Sequence, residues 1–297
     1  MGANLKEVRE RIKSVKSTQQ ITRAMKMVSA AKLRRAQQAI TEMRPYADRL
    51  NDMLVHILSN SEGSASSSFG EERSINKALL VVVTSNRGLC GAFNTNIIKA
   101  AEATIKSKYA PLADSGNLTI LTIGKKGFDY FKKRYMNCDK NSDYTEIFSD
   151  LSFDNVAQVS QLIMDEYKAG NYDSAHVCYG RFRNAAVQIP ESVQFLPVEK
   201  MVPDEKASKH KVDYIFEPDE KTLLDQLVPS ILQTTFFKYL LDVQASEHGA
   251  RMTAMEAATE NAEDMLKNLK IVYNKARQEA ITKELSEIVG GAAALEG

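Results

Sequence analysis

Apolar side chains recur in alternating steps of three and four along the first sixty residues. The series consists of Leu5, Val8, Ile12 and Val15, of Ile21, Met25 and Val28 after a phase slip, and of Ala36, Ala39, Met43, Tyr46, Leu50, Met53 and Ile57. Sustained alternation of this kind is typical of a coiled-coil seam. We therefore predict a helix over about residues 4–59, bent at Pro45 because proline lacks an amide donor.

The last eighty residues carry a longer and more regular series. Its members are Leu227, Ile231, Thr234, Lys238, Leu241, Ala245, His248, Met252, Met255, Thr259, Ala262, Leu266, Leu269, Tyr273, Ala276 and Ala280. This pattern predicts a second coiled-coil helix. We expect Gly290 and Gly291 to end it, and Pro229 to be tolerated if it lies in the first turn.

The predicted helices would be roughly 85 and 105 Å long at 1.5 Å per residue, too long for a globular domain of this mass. They must pair, and antiparallel pairing follows because the chain between them starts and finishes at the same end. The second helix would extend beyond the first by roughly 20 Å. Its apolar tip residues should be covered by another protein; they are Ile281, Leu285, Ile288 and Val289.

The pattern between the helices changes to short apolar runs that alternate with helical stretches. Strands are predicted at 78–84, 118–123, 145–148 and 174–181, an edge strand or a loop at 193–197, and helices at 91–108, 125–134 and 155–169. This alternation favours a mostly parallel, Rossmann-like sheet. The predicted organisation is an N-terminal coiled-coil helix (1–59), a polar linker (60–74), an inserted α/β domain (75–211) and a C-terminal coiled-coil helix (212–297).

Charge adds an asymmetry to this picture. The chain has 39 Lys and Arg against 38 Asp and Glu, a net charge of +1, which does not favour nucleic acid or an anionic membrane. Residues 1–58 contain 12 basic and 5 acidic residues, whereas residues 217–289 contain 8 and 13. Helices of opposite charge are suited to pairing with each other. No apolar run is long enough for a membrane helix, and the first residues lack the apolar stretch of a signal peptide.

One loop resembles a phosphate-binding turn. Residues 85–91 follow the first strand and precede a helix, where α/β folds bind phosphates. The loop lacks both the dinucleotide and the P-loop motif, so we favour a structural turn over a nucleotide site. Cys90 has no evident base beside it, because His176 is the only histidine of the predicted strands and helices in this domain. We expect no catalytic residue, cofactor or metal.

Three long stretches resemble the gamma subunit family of F-type ATP synthases. They are Arg11–Gln37, Thr84–Asn94 and Ser246–Ala294, and the last includes ITKELSEIVGGA, which matches the family's diagnostic motif. The resemblance implies a non-catalytic central stalk inside a ring of alpha and beta subunits. It also implies contact with the epsilon subunit and the membrane ring of c subunits, whose proton-driven rotation would turn the stalk.

The resemblance further implies contact residues at matching positions. Met25, Arg251, Glu284 and Glu287 match positions that contact the acidic loop of the catalytic subunit; Arg277 and Gln278 match a polar catch; Tyr214, Phe216 and Glu217 match the foot on the rotor ring. The implied location is the cytoplasmic face of a bacterial plasma membrane, held peripherally. Two rival hypotheses are a nucleotide-binding α/β enzyme with a coiled-coil dimerisation arm and a passive scaffold.

Overall fold

A computed structural model of the chain describes residues 5–60, 69, 73–198 and 220–296. Most of the predicted linker at 60–74 and the predicted domain boundary at 211–212 lie outside these ranges. The chain divides into two compact units. One contains Met1–Ser29 and Met252–Gly297, and the other contains Ala30–Arg251. Each unit therefore takes a part of both terminal helices.

The two terminal helices are α1 (Leu5–Asn60) and α6 (Glu220–Glu296). Pro45 lies inside α1, as predicted. One prediction about α6 is wrong, because the helix continues through Gly290 and Gly291. Pro229 lies inside the helix, beyond the first turn in which a proline is best tolerated. Glycine ends a helix well when it adopts a positive φ, and neither of these glycines does. Their low helix propensity is offset by the strong helix formers around them.

Five strands form one sheet in the unit Ala30–Arg251, in the order β3-β2-β1-β4-β5. They are β1 (Ala78–Val83), β2 (Leu118–Ile123), β3 (Asp139–Asn141), β4 (Ser174–Phe182) and β5 (Gln188–Leu196). The first four strands are parallel, and β5 pairs with β4 in the antiparallel direction. The predicted mostly parallel sheet is confirmed. The central strand β1 is buried along its whole length, as expected for a parallel strand that is covered on both faces.

The helices between the strands are α2 (Phe93–Thr104), α3 (Ala110–Ser115), α4 (Lys125–Arg134) and α5 (Phe153–Lys168). A π-helical turn joins α2 to α3 at Ile105–Tyr109. The strand predicted at 145–148 is wrong, because this segment contains a 3₁₀ turn at Ile147–Ser149. The third strand is the polar segment β3 instead. It pairs with β2 through its backbone at the sheet edge, so it carries no apolar pattern.

The N-terminal part of α6 belongs to the core of this α/β unit. The ring of Phe236 lies 5.5 Å from that of Phe195 on β5, and the ring of Tyr239 lies 4.4 Å from that of Tyr179 on β4. Phe236 is fully buried. Ser246 Oγ donates a hydrogen bond of 3.0 Å to the carbonyl of Gly180. This part of α6 therefore packs against the sheet through both apolar and polar contacts.

Candidate functional site

Side-chain contacts join α1 and α6 within the unit Met1–Ser29 and Met252–Gly297, among them three polar contacts between described residues. Arg9 Nη2 donates to the hydroxyl of Tyr273 at 3.1 Å, and the hydroxyls of Thr22 and Thr259 are 2.8 Å apart. Lys26 forms an ion pair with Glu256. The residue number on α6 falls as the number on α1 rises, so the helices are antiparallel here, as predicted.

The inward face of α1 differs from the predicted stripe. Thr22 and Ser29 are buried, whereas the predicted stripe members Ile21 and Val28 are 56% and 58% exposed. The seam continues from Val8 without a phase slip, because an uninterrupted helix keeps its inward face at a constant period. The prediction assigned Ile21 and Val28 to the seam because they are apolar, although both lie on the outer face of α1. Small hydroxyl side chains take the inward positions instead.

The predicted seam of α6 agrees with the structure between Met252 and Ala280. Each of its members in this range is buried or half-buried; they are Met252, Met255, Thr259, Ala262, Leu266, Leu269, Tyr273, Ala276 and Ala280. Several of them are small, which lets two helix backbones approach closely.

Two of the predicted coupling residues, Met25 and Arg251, are at least partly buried. Met25 is half-buried on α1. Arg251 is held inside the α/β unit: it pairs with Glu247 at 2.6 Å and donates to the carbonyls of Arg87 and Gly88 at 3.2 and 3.3 Å. Its side chain is only 11% exposed. Arg251 therefore fastens α6 to the loop after β1.

The other predicted coupling residues are exposed on the last part of α6; they are Arg277, Gln278, Glu284 and Glu287. Glu287 lies 3.7 Å from Lys283 of the same helix. The neighbouring apolar residues Ile281, Leu285, Ile288 and Val289 are 49–68% exposed. This tip is a surface of mixed apolar and acidic character. The foot residues Tyr214, Phe216 and Glu217 lie outside the described part of the chain.

Side-chain and carbonyl oxygens of residues 84–86, directly after β1, accept hydrogen bonds from the first amides of α4, the helix that follows β2. At the start of α4, the amide of Lys125 donates to Asn86 Oδ1 at 3.0 Å, and that of Lys126 to the Ser85 carbonyl at 3.2 Å. The amide of Gly127 donates to Thr84 Oγ1 at 2.8 Å. Free amides at a helix N-terminus bind anions, and these three amides of α4 are occupied by the chain itself. At the start of α2, which follows the loop directly, the amide of Phe93 donates to the Cys90 carbonyl at 3.3 Å. The geometry favours the structural turn.

Cys90 and His176 have structural surroundings. The thiol of Cys90 is buried and accepts a hydrogen bond from Asn94 Nδ2 at 3.2 Å. The imidazole of His176 bonds Tyr109 through Nδ1 at 2.6 Å and lies 2.9 Å from Lys108 Nζ. Burial, with the charge of Lys108, lowers the pKa of His176 to about 4. A neutral histidine held in this way is not paired with the thiol as its base.

Sequence reasoning missed the pair Thr22–Thr259 and the ion pair Lys26–Glu256. The predicted seam of α6 includes Thr259, but the predicted stripe of α1 includes Ile21 in place of Thr22. The signal that finds Thr22 is the spacing from Val8 in steps of four, three, four and three. Following the period rather than hydrophobicity leads directly to it.

The sequence matches known proteins over nearly its whole length. A family model described as ATP synthase matches residues 4–295. The ATP synthase gamma chain of Cytophaga hutchinsonii is 52% identical over 293 residues, which cover 98% of this chain and 99% of that protein. The gamma chain of Flavobacterium psychrophilum is 50% identical over 295 residues, covering 99% and 100%.

Solved structures share the fold at lower sequence identity. A chain of the Euglena gracilis mitochondrial ATP synthase, solved as an assembly of OSCP, F1 and c-ring, superposes with a TM-score of 0.65 at 20% identity, covering 98% of this chain and 94% of that one. A chain of the rotor of the same synthase superposes with a TM-score of 0.62 at 20% identity, covering 93% and 98%.

Proposed function

The chain belongs to the ATP synthase gamma chain family, and we propose that it is the central rotor shaft of a proton-translocating ATP synthase. In this role it is a non-catalytic subunit. It couples rotation of a membrane ring to ATP synthesis or hydrolysis in the catalytic subunits.

The observation that carries the proposal is the antiparallel pair of helices that ends in an exposed tip. A shaft must pass torque while it slides past its surroundings. Two helices joined by contacts such as Thr22–Thr259 and Lys26–Glu256 resist twisting better than one helix. Beyond the seam, Gly290 and Gly291 carry no side chain that would interlock with a surrounding sleeve.

We propose that the head of alpha and beta subunits surrounds the paired helices and that the ring of c subunits contacts the foot at Tyr214, Phe216 and Glu217. The solved relatives are described as assemblies with F1 and a c-ring, which supports both contacts. The epsilon subunit completes the proposed set of partners. The structure has no helix, within its described ranges, of the length and hydropathy needed to span a bilayer. We propose that the chain is held peripherally at the inner membrane, because the two gamma chains named above come from bacteria.

The coupling contact proposed here uses Met25, Arg251, Glu284 and Glu287 toward an acidic loop of the catalytic subunit, with Arg277 and Gln278 as a polar catch. Charges act across only about 10 Å at ordinary salt, so these residues work at contact range. Arg251 contributes by fixing the helix that carries the contact, because its guanidinium is already bound within the α/β unit.

The decisive experiment observes rotation. A bead is attached to the α/β unit of the chain within an assembled, immobilised complex, and is followed during ATP hydrolysis. We expect stepwise rotation in one direction. A bead that stays still while ATP is hydrolysed would support the passive scaffold. Calorimetric titration of the isolated chain with ATP tests the rival enzyme hypothesis, for which we expect no binding heat.

A further inference from the structure

The seam between α1 and α6 contains a polar layer where apolar residues were available. Thr22 and Ser29 are buried, while Ile21 and Val28, each one position earlier, face outward. A shift of one residue in the sequence would have placed the apolar side chains inside. A seam built only for stability would use them, because burial of hydrocarbon is the main stabilising contribution in a coiled coil.

One hydroxyl of this layer, that of Thr22, bonds the hydroxyl of Thr259 across the seam. Thr22 Oγ1 lies 2.8 Å from Thr259 Oγ1 and 3.1 Å from the carbonyl of Gln19. Thr259 Oγ1 lies 2.7 Å from the carbonyl of Met255. Each hydroxyl has one proton. One hydroxyl therefore donates to its own helix and the other donates across the seam.

The other polar contacts across the seam, Lys26–Glu256 and Arg9–Tyr273, are largely solvent-exposed, so they oppose a change of register only weakly. Seam residues repeat every seven positions, so a slip of one heptad again places seam against seam. A slip that moves Lys26 from Glu256 to Glu263 preserves an ion pair. The same slip places Thr22 opposite Leu266, and the opposite slip places it opposite Met252. In both cases the Thr22 hydroxyl faces hydrocarbon, loses its bond across the seam and keeps only the bond to its own helix.

We propose that the Thr22–Thr259 pair is a register lock: it specifies the axial alignment of the two helices rather than stabilising them. Thr22 is buried and Thr259 is half-buried. A single polar pair within a coiled-coil seam selects the alignment in which both groups are bonded. For the proposed shaft, on which this consequence rests, the lock opposes sliding of one helix along the other when torque is applied.

The test uses the full chain with cysteine reporters and does not require rotation. The pair Arg9→Cys with Tyr273→Cys reports the native register, because these residues are in contact. Arg9→Cys with Ala280→Cys reports the slipped one. The native cysteines Cys90, Cys138 and Cys178 are buried. A short bismaleimide cross-links each pair, and the yields are compared by mass spectrometry of the cleaved peptides.

We expect the double variant T22V/T259V to raise the yield of the slipped reporter relative to the native one by about tenfold, since the slip then no longer breaks a hydrogen bond across the seam. The variant T22S/T259S keeps both hydroxyls and should leave the ratio unchanged. The matched control is T18V/T282V: both of these hydroxyls are exposed and bond carbonyls of their own helices. An equal ratio in T22V/T259V and the control would overturn the proposal.

Thermal unfolding gives a second, independent readout. Replacing one threonine leaves the other hydroxyl facing a methyl group, so T22V alone should melt at a lower temperature than the parent. The double variant should melt at least as high as the parent, because both partners become apolar. If the double variant melted lower than both single variants, the pair would be an ordinary stabilising contact and the lock would be refuted.

Discussion

At the residue scale, single backbone positions decide whether the α/β sheet can form. Gly124 follows β2 with a φ of 98°, and a Cβ at this position would overlap the Thr84 carbonyl oxygen. This carbonyl belongs to the residue after β1, so two neighbouring strands meet where only glycine fits. The sequence shows a glycine before two lysines, and only the packing explains it.

Gly124→Ala should therefore lower the free energy of unfolding of the chain by about 3 kcal/mol or more, since it combines backbone strain with a steric overlap that moves β1 from β2. Urea unfolding followed by circular dichroism measures the change. Gly170→Ala is the matched control: its φ is 78° but its Cβ would meet no atom within 4 Å. Strain alone should cost about 1 kcal/mol there. Equal losses would contradict this assignment.

Met25 is the residue at which a single charge should affect coupling. Met25→Lys adds a cation that faces the acidic loop of the proposed catalytic partner, and the resulting attraction should hold the shaft at one angle. We expect fewer protons pumped per ATP hydrolysed in reconstituted vesicles. Met27→Lys is the control, because Met27 is 62% exposed on the same helix and has no predicted coupling role. If Met25→Lys left the number of protons pumped per ATP unchanged, Met25 would not be part of the proposed coupling contact.

At the scale of elements, both terminal helices were predicted from periodicity alone, and the errors lie at their ends and on their faces. The helix α6 passes through Gly290 and Gly291, and α1 turns Ile21 outward. Periodicity indicates that a helix exists, but its inward face is set by the partner helix. The polar edge strand β3 was not predicted, because its backbone pairing with β2 defines it and its side chains form no apolar pattern.

The helical glycines at the end of α6 lead to a prediction about that element. A Cβ added at Gly290 or Gly291 would meet no neighbouring atom within 4 Å, so alanine is accommodated at both positions. Each substitution should stabilise the helix by about 1 kcal/mol. Hydrogen exchange of the amides near the end of α6 should slow by roughly fivefold per substitution.

Gly249→Ala tests the opposite case on the same helix. Its Cβ would lie 3.2 Å from the backbone of Ala185, so the substitution should destabilise the α/β unit. If Gly249→Ala stabilised the chain as Gly290→Ala is expected to, close packing would not be the reason for glycine at position 249.

At the scale of the whole molecule, the buried His176 and the half-buried His248 make stability depend on pH. Burial, with nearby Lys108 for His176 and with Arg251 and Lys32 for His248, lowers both pKa values to about 4 from the usual 6.5. Between pH 6.5 and 4 the unfolded chain binds these protons and the folded chain does not. Their contribution to stability is therefore complete above pH 6.5 and is lost as the pH falls toward 4.

We expect the urea midpoint to be lower at about pH 5 than at about pH 7. The imidazole signals of His176 and His248 in NMR spectra should remain those of neutral rings at about pH 5. Carboxylates also contribute to acid sensitivity, and His176→Gln separates the two causes, because this variant should have a shallower dependence on pH between 6.5 and 4. Titration of both rings near their usual pKa of 6.5 would contradict the burial argument.

The sequence by itself determined the helix–α/β–helix organisation, the antiparallel pairing and the family. These features follow from periodicity and motifs that extend over many residues, which local chance cannot imitate. The tertiary structure decided which side of α1 is inward, that Thr22 meets Thr259, and that Arg251 is bound to the loop after β1. These contacts join residues more than 160 positions apart in the chain. A local sequence pattern does not predict such contacts, because each depends on how two distant segments of the chain pack against each other.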